Sequence, residues 1–148
     1  MDQLVGPGVG IIEQVAADAV NPSQLYSRFC RGAAFAFALV AVYTVVVKAT
    51  TGGMERDWMH TALHILTGAV AAYAGWISAD LAAARLFAVA IVIGYGVLGV
   101  AGWFIDGLFL DSSVRIPLDV PDNVFHLLLA VVAASVIVRS RASQATGS

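Results

Sequence analysis

The chain has 148 residues, of which 59% are hydrophobic and only 12% charged, with a mean hydropathy of +0.84. A soluble domain carries about 25% charged residues; here the apolar residues come in long uncharged blocks, which belong in lipid. The net charge of −2 argues against a nucleic-acid partner, and the single cysteine, Cys30, excludes an intrachain disulfide.

Residues 1–27 form an N-terminal segment. It does not read as a secretory signal, because Asp2 is the only early charge and Gly6-Pro7-Gly8 interrupts the start. Ile11, Ile12, Val15 and Ala19 would share one face of a short helix that Asn21-Pro22 ends. Such a helix suits the membrane interface, although it lacks the usual basic polar face. A packed lid or a loose tail fits the residues as well.

The first span is expected at about 29–47, with Arg28 and Arg31 at one end and Lys48 at the other. Ala33, Ala34, Ala36, Ala38 and Ala41 supply small positions for close helix contact. Cys30 lies among apolar neighbours and reads as a packing residue. Thr50-Thr51-Gly52-Gly53 makes a turn. The second span is expected at about 58–77, anchored by Trp58 and Trp76. Ser78-Ala79-Asp80 turns the chain into a third span, about 85–105, that starts near Leu81 or Arg85 and reaches Phe104 or Ile105; its Gly94, Gly96, Gly99 and Gly102 allow close backbone approach. The connection from Asp106 to Asp122 is the longest, and Pro117 and Pro121 make it extended and stiff. The fourth span, about 123–138, starts at Asp122-Asn123, either of which can cap it. It is short for a hydrocarbon core of about 30 Å. Residues 140–148 read as a disordered tail.

Basic residues set the orientation. Arg28, Arg31, Arg85, Arg139 and Arg141 lie on one side, against Lys48, Arg56 and Arg115 on the other. The excess marks the cytoplasmic side. This predicts a multi-pass protein of the cell membrane with both termini cytoplasmic. A shift of 62 positions lays His64 on His126, Leu66 on Leu128 and Asp57 on Asp119. The expected fold is therefore an all-α integral membrane four-helix bundle, built from two tandem helical hairpins as a parallel pseudo-repeat.

A polar helix start at His60-Thr61-Ala62-Leu63-His64, an Ala84-Arg85 pair, a Gly-rich span and then Asp122-Asn123-Val124-Phe125-His126 together resemble the DUF4383 family. The resemblance covers about residues 54–138. It implies small four-span bacterial and archaeal membrane proteins without an assigned activity. The first span fits less well, since its expected Gly-rich start is reduced to Gly32.

The candidate site residues are His64, His126, His60, Asp57 and Asp122. Asp57, His60 and His64 fall at i, i+3 and i+7 on one helical face, and Asp122 and His126 at i and i+4. His64 and His126, equivalent under the shift, are expected to meet, with His60 nearer the surface. Interhelical hydrogen bonding is the plainest use of such groups. Imidazole plus carboxylate also suits zinc or another divalent metal, two facing histidines suit a haem iron, and a proton or substrate path is a further use. Tyr43, Tyr73 and Tyr95 read as core, and Thr44, Thr67 and Ser135 as residues bonding their own helix carbonyls. Gly94-x-Gly96-x-x-Gly99 lies within a span and not after a strand, so it is no nucleotide loop.

The first functional expectation is a structural or accessory membrane protein, as a homo-oligomer or a subunit of a larger membrane complex, with no enzyme activity and no cofactor. The alternative is a metal- or haem-binding protein using His64 and His126 on the extracytoplasmic side. A transporter is disfavoured, because ionisable residues occupy only one end of the spans.

Overall fold

The computed structural model describes residues 21–51, 58–78, 80–112 and 115–146. The expected helix around Ile11–Ala19, the Gly52-Gly53 turn and Asp57 lie outside them.

The described chain is all-helical apart from one small ladder. Helix α1 runs Pro22–Thr51 and begins earlier than the apolar block suggests. Asn21 is its cap: its Oδ1 accepts from the Ser23 amide at 3.0 Å, and Pro22 takes a first-turn position where its missing N–H costs nothing. Asn21-Pro22 therefore starts a helix. Helix α2 runs Trp58–Ala72 and continues as a π-helical turn, Tyr73–Ile77. Helix α3 runs Leu81–Ala101; the Asp80 side chain caps it by accepting from the Ala82 amide at 2.8 Å. Helix α4 runs Val120–Thr146, with Pro121 in its first turn.

Two boundaries correct the sequence reading. The third helix takes the earlier of its two expected starts, Leu81, where the Asp80 cap sets it, but ends at Ala101, about four residues before 105, with Gly102 as its cap. The fourth passes straight through Arg139-Ser140-Arg141, beyond the end expected near 138. Ser140 is buried there and shares a hydrogen bond of 2.9 Å with the Tyr26 hydroxyl, while Arg139 and Arg141 turn outward. At 27 residues α4 is no short span, and the tail expected from residue 140 is helical as far as Thr146.

Between α3 and α4 the chain forms strands β1 (Gly107–Leu108) and β2 (Ile116–Pro117), paired antiparallel. The expected stiff connection is thus a folded-back ladder. Gly107 has φ +149°, and a Cβ there would overlap the Ile116 carbonyl, so the turn requires glycine. Strand β2 packs against α2, and Leu118 behind it is buried.

Each helix buries one stripe at helical spacing. On α3 the stripe is Ala84, Ala88, Ile91, the half-buried Tyr95 and Gly99, continued by Gly102 at the helix end. Gly99 and Gly102 make the close contacts, to Leu127 and Asn123 of α4. Gly94 is off the stripe and exposed, with nothing within 4 Å of where its Cβ would lie, so the expected packed glycine face excludes it. Helix α1 packs chiefly on α2 and α3 chiefly on α4, while α1 also touches α3 and α4. Cys30 and Phe37, both 0% exposed, sit at the centre. Thr44, Thr67 and Ser135 each bond a carbonyl of their own helix, as expected.

The outside is apolar. Leu39, Leu86 and Phe104 are 73%, 70% and 82% exposed. A surface of this extent is stable against lipid and not against water. Helices α1, α3 and Val120–Ala145 of α4 are each long and apolar enough to cross a membrane, and together they suggest a membrane protein.

Candidate functional site

Helix periodicity puts His60 and His64 one turn apart on the inner face of α2. The first two turns of α4 bring Asp122, Asn123 and His126 opposite them. The three histidines converge: one ligating nitrogen from each lies within 4.8 Å of the others. Ring centroids are 4.5 Å apart for His60 and His64, 5.8 Å for His64 and His126, and 6.1 Å for His60 and His126.

His64 and His126 are 2% and 1% exposed and face each other, as the shift of 62 predicts. His60 differs from expectation. It is only 5% exposed and completes the cluster, enclosed by the other two rings, by Asp122 and by the cavity it shares with Lys48 and Asp119. Its Nδ1 lies 3.8 Å from Oδ2 of Asp122. Asp122 therefore does belong to the group, one step out from the cluster. Asp57 lies outside the described residues.

Asn123 does not cap α4. Its Nδ2 donates to the Gly102 carbonyl at 2.7 Å and so satisfies an end carbonyl of α3. This holds the start of α4 against the end of α3 and sets the depth of His126. Only the missing side chain of Gly102 makes room for it.

The inner wall is aromatic. Tyr95 stands edge-on to His126 with centroids 4.8 Å apart, and its hydroxyl donates to Thr67 Oγ1 at 3.3 Å. Phe37 and Phe125 lie 5.7 and 5.8 Å from the His64 ring. Sequence reasoning placed Tyr43, Tyr73 and Tyr95 in the core; Tyr95 packs there, but Tyr43 and Tyr73 lie on the exposed apolar surface. It missed Phe37 as a wall of the site, since nothing distinguishes it from the other apolar residues of α1. On the opposite side the cluster adjoins a cavity of about 220 Å³ lined by Tyr43, Lys48, Thr61, Asp119 and Asp122, besides His60 and His64. Lys48 Nζ reaches Thr61 Oγ1 at 3.5 Å. Lys48, read from sequence only as a helix-end charge, is thus part of the polar vestibule.

Neither ring nitrogen of His64, nor Nδ1 of His126, has a hydrogen-bond partner among the described residues. Buried polar atoms are nearly always satisfied. The donor set fits a borderline-soft divalent ion: imidazole binds zinc at about 2.0–2.1 Å, which puts tetrahedral nitrogens about 3.4 Å apart, within reach of small ring rotations. A carboxylate beside one ligand ring is the usual outer support of such a site.

Residues 77–138 match the model of the family described as a domain of unknown function, DUF4383. The family expected from the sequence is borne out over that stretch, which holds α3, the ladder, Asp122 and His126. His60 and His64 precede it. No curated protein and no solved structure matches the chain.

Proposed function

We propose that the chain carrying this DUF4383 unit is a four-span membrane protein that holds one divalent metal ion, zinc by its donor set, on His60, His64 and His126. The observation that carries this reading is the convergence of three buried imidazoles, two of them with ring nitrogens that no group among the described residues satisfies. Hydrogen bonding between helices, the plainer use of histidine, calls for partners that His64 lacks among the described residues.

The fourth span is α2 with its π-helical turn. Trp58–Ile77 is 20 residues, about 30 Å of helix at 1.5 Å per residue. The proposed arrangement is two tandem hairpins, α1–α2 and α3–α4. The shift that lays His64 on His126 also lays His60 on Asp122 and Thr61 on Asn123, all buried or half-buried polar positions at one end. The basic-residue excess puts that end outside the cell membrane and both termini in the cytoplasm.

In this reading the histidines hold the ion and Asp122 orients the His60 ring. The adjoining cavity admits water or a small ligand to the one side that the aromatic wall leaves open. A bound zinc supplies Lewis acidity there. Asp119, Asp122 and Lys48 give that side its polar lining.

The test is metal analysis of protein purified in mild detergent without chelator and again after zinc reconstitution. One equivalent of metal per chain is expected, lost in His64→Ala and in His126→Ala. Metal-free protein that also fails to take up zinc would leave the structural or accessory role, alone or in a larger complex, as the better reading. A haem would announce itself by absorption in the same sample.

A further inference from the structure

The end of the bundle away from the histidines is built around a carbonyl. Arg31 of α1 donates through Nε to the Gly75 oxygen at 2.8 Å, and Ser27 Oγ donates to the same oxygen at 3.1 Å. Gly75 lies in the π-helical turn, where the widened backbone shifts the regular bonding pattern. A Cβ on Gly75 would lie 3.0 Å from the Arg31 amide nitrogen and 3.2 Å from Cys30 Cβ. The two backbones therefore meet directly. The Arg31 guanidinium also stands over the Trp76 ring, 5.6 Å from its centroid. One guanidinium is thus fixed in place and direction, and a polar cavity of about 450 Å³ adjoins it, lined also by Ser23, Arg28 and Asp80.

Arg28 lines a second cavity as well. This one is an apolar groove of about 340 Å³ between α1 and α4, with Gly32 and Ala36 on one side and Leu128 and Val132 on the other. Arg28, Gly32 and Ala36 follow one another at i, i+4 and i+8, so the groove descends from the arginine into the span. At Gly32 a Cβ would meet nothing within 4 Å. Among the described residues, neither arginine has a carboxylate within ion-pair distance. Asp80, on the far lining, spends Oδ1 on the α3 cap.

The geometry points to a site for one anionic phospholipid, with its phosphate at Arg28 and Arg31 and one acyl chain in the Gly32–Ala36 groove against Leu128 and Val132. Two features select that occupant. The guanidiniums call for an anion, and forked donors match phosphate oxygens. The groove opening at the same arginine calls for a chain attached to that anion. Basic pockets between spans are a recurring headgroup site. The proposal is independent of the histidines and of which side of the membrane this end faces.

Native mass spectrometry in mild detergent tests it, with phosphatidylglycerol, phosphatidylcholine or soluble glycerol phosphate added to the full-length protein. Wild type should retain one phosphatidylglycerol, about tenfold more tightly than phosphatidylcholine, the usual scale for a hydrogen-bonded charge. Arg28→Gln and Gly32→Phe should each weaken it by about tenfold, the second by filling the groove where no protein atom is displaced. Arg139→Gln, a charge at the same end outside both cavities, should not. Glycerol phosphate should fail to displace the lipid. Equal retention by wild type and Gly32→Phe would overturn the proposal, as would equal retention of the two lipids. Displacement by glycerol phosphate would overturn it too, by showing an anion site without a chain groove.

Discussion

His64 is 2% exposed and has no partner for either ring nitrogen among the described residues. In a low-dielectric interior that leaves one donor and one acceptor unsatisfied, at about 1–3 kcal/mol each. A bound cation offsets this by taking the acceptor nitrogen. Zinc should therefore raise the melting temperature of the wild type and leave His64→Ala unchanged, which a thermal shift assay with and without zinc measures. The pH dependence follows from the ligand chemistry. A protonated imidazole is no ligand, so metal is held while the rings are neutral and released as pH falls through the range in which they protonate. Metal content after equilibration across that range checks the sign: retention that improved on acidification would exclude histidine ligation. Asn123 acts differently, through the Gly102 carbonyl. Asn123→Ala should cost about 1–3 kcal/mol by leaving that carbonyl unpaired. It should also weaken zinc uptake by loosening the start of α4, a pairing of effects that separates it from Ser135→Ala on the exposed face.

At the scale of elements, α3 decides how close the helices come. Its glycines are not equivalent. A side chain at Gly99 would meet the Leu127 amide nitrogen at 3.0 Å, and backbone cannot yield as a flexible side chain can. Gly99→Leu should therefore destabilise the protein by about 1–3 kcal/mol or more, since overpacking forces backbone apart. Gly94→Leu points into open space and should be nearly neutral. Unfolding of the two variants in the same detergent compares them; equal losses would show that both glycines face protein. The π-helical turn has its own signature. It lets Gly75 approach α1 while its carbonyl serves Arg31 and Ser27. Gly75→Val should destabilise more than Gly68→Ala, whose Cβ would meet chiefly the Phe37 side chain at 2.9 Å.

For the whole molecule, the proposed topology separates two ends of opposite character. The arginine end holds Arg28, Arg31, Arg139 and Arg141, and the other holds the histidines, Lys48 and the aspartates of the ladder. Single cysteines introduced in a Cys30→Ala background should be labelled by an impermeant reagent in intact cells at position 112. At positions 85 and 142 they should be labelled only after the membrane is opened. The reverse pattern would invert the protein and place the histidine site inside. Cys30→Ala is a fair background, because its thiol is fully buried and, among the described residues, makes only a long hydrogen bond, 3.9 Å, to the Ala84 carbonyl.

Composition and periodicity by themselves determined the helical class, the apolar blocks and the shared face of His60 and His64. These properties are carried by each residue's transfer energy and by helical spacing, both local along the chain. The family resemblance also rested on short local strings. What needed the tertiary structure were properties of juxtaposition. His60 looked interfacial until the start of α4 brought Asp122 and His126 against it. Asn123 looked like a cap until the end of α3 came within its reach. Gly94 and Gly99 are indistinguishable as letters, and only the crossing of α3 with α4 tells which one faces a backbone. The helical continuation past Val138 depended on Tyr26, 114 positions away from Ser140. Such pairs contribute energy only after the chain has closed a long loop, and nothing in either residue's own neighbourhood records the partner.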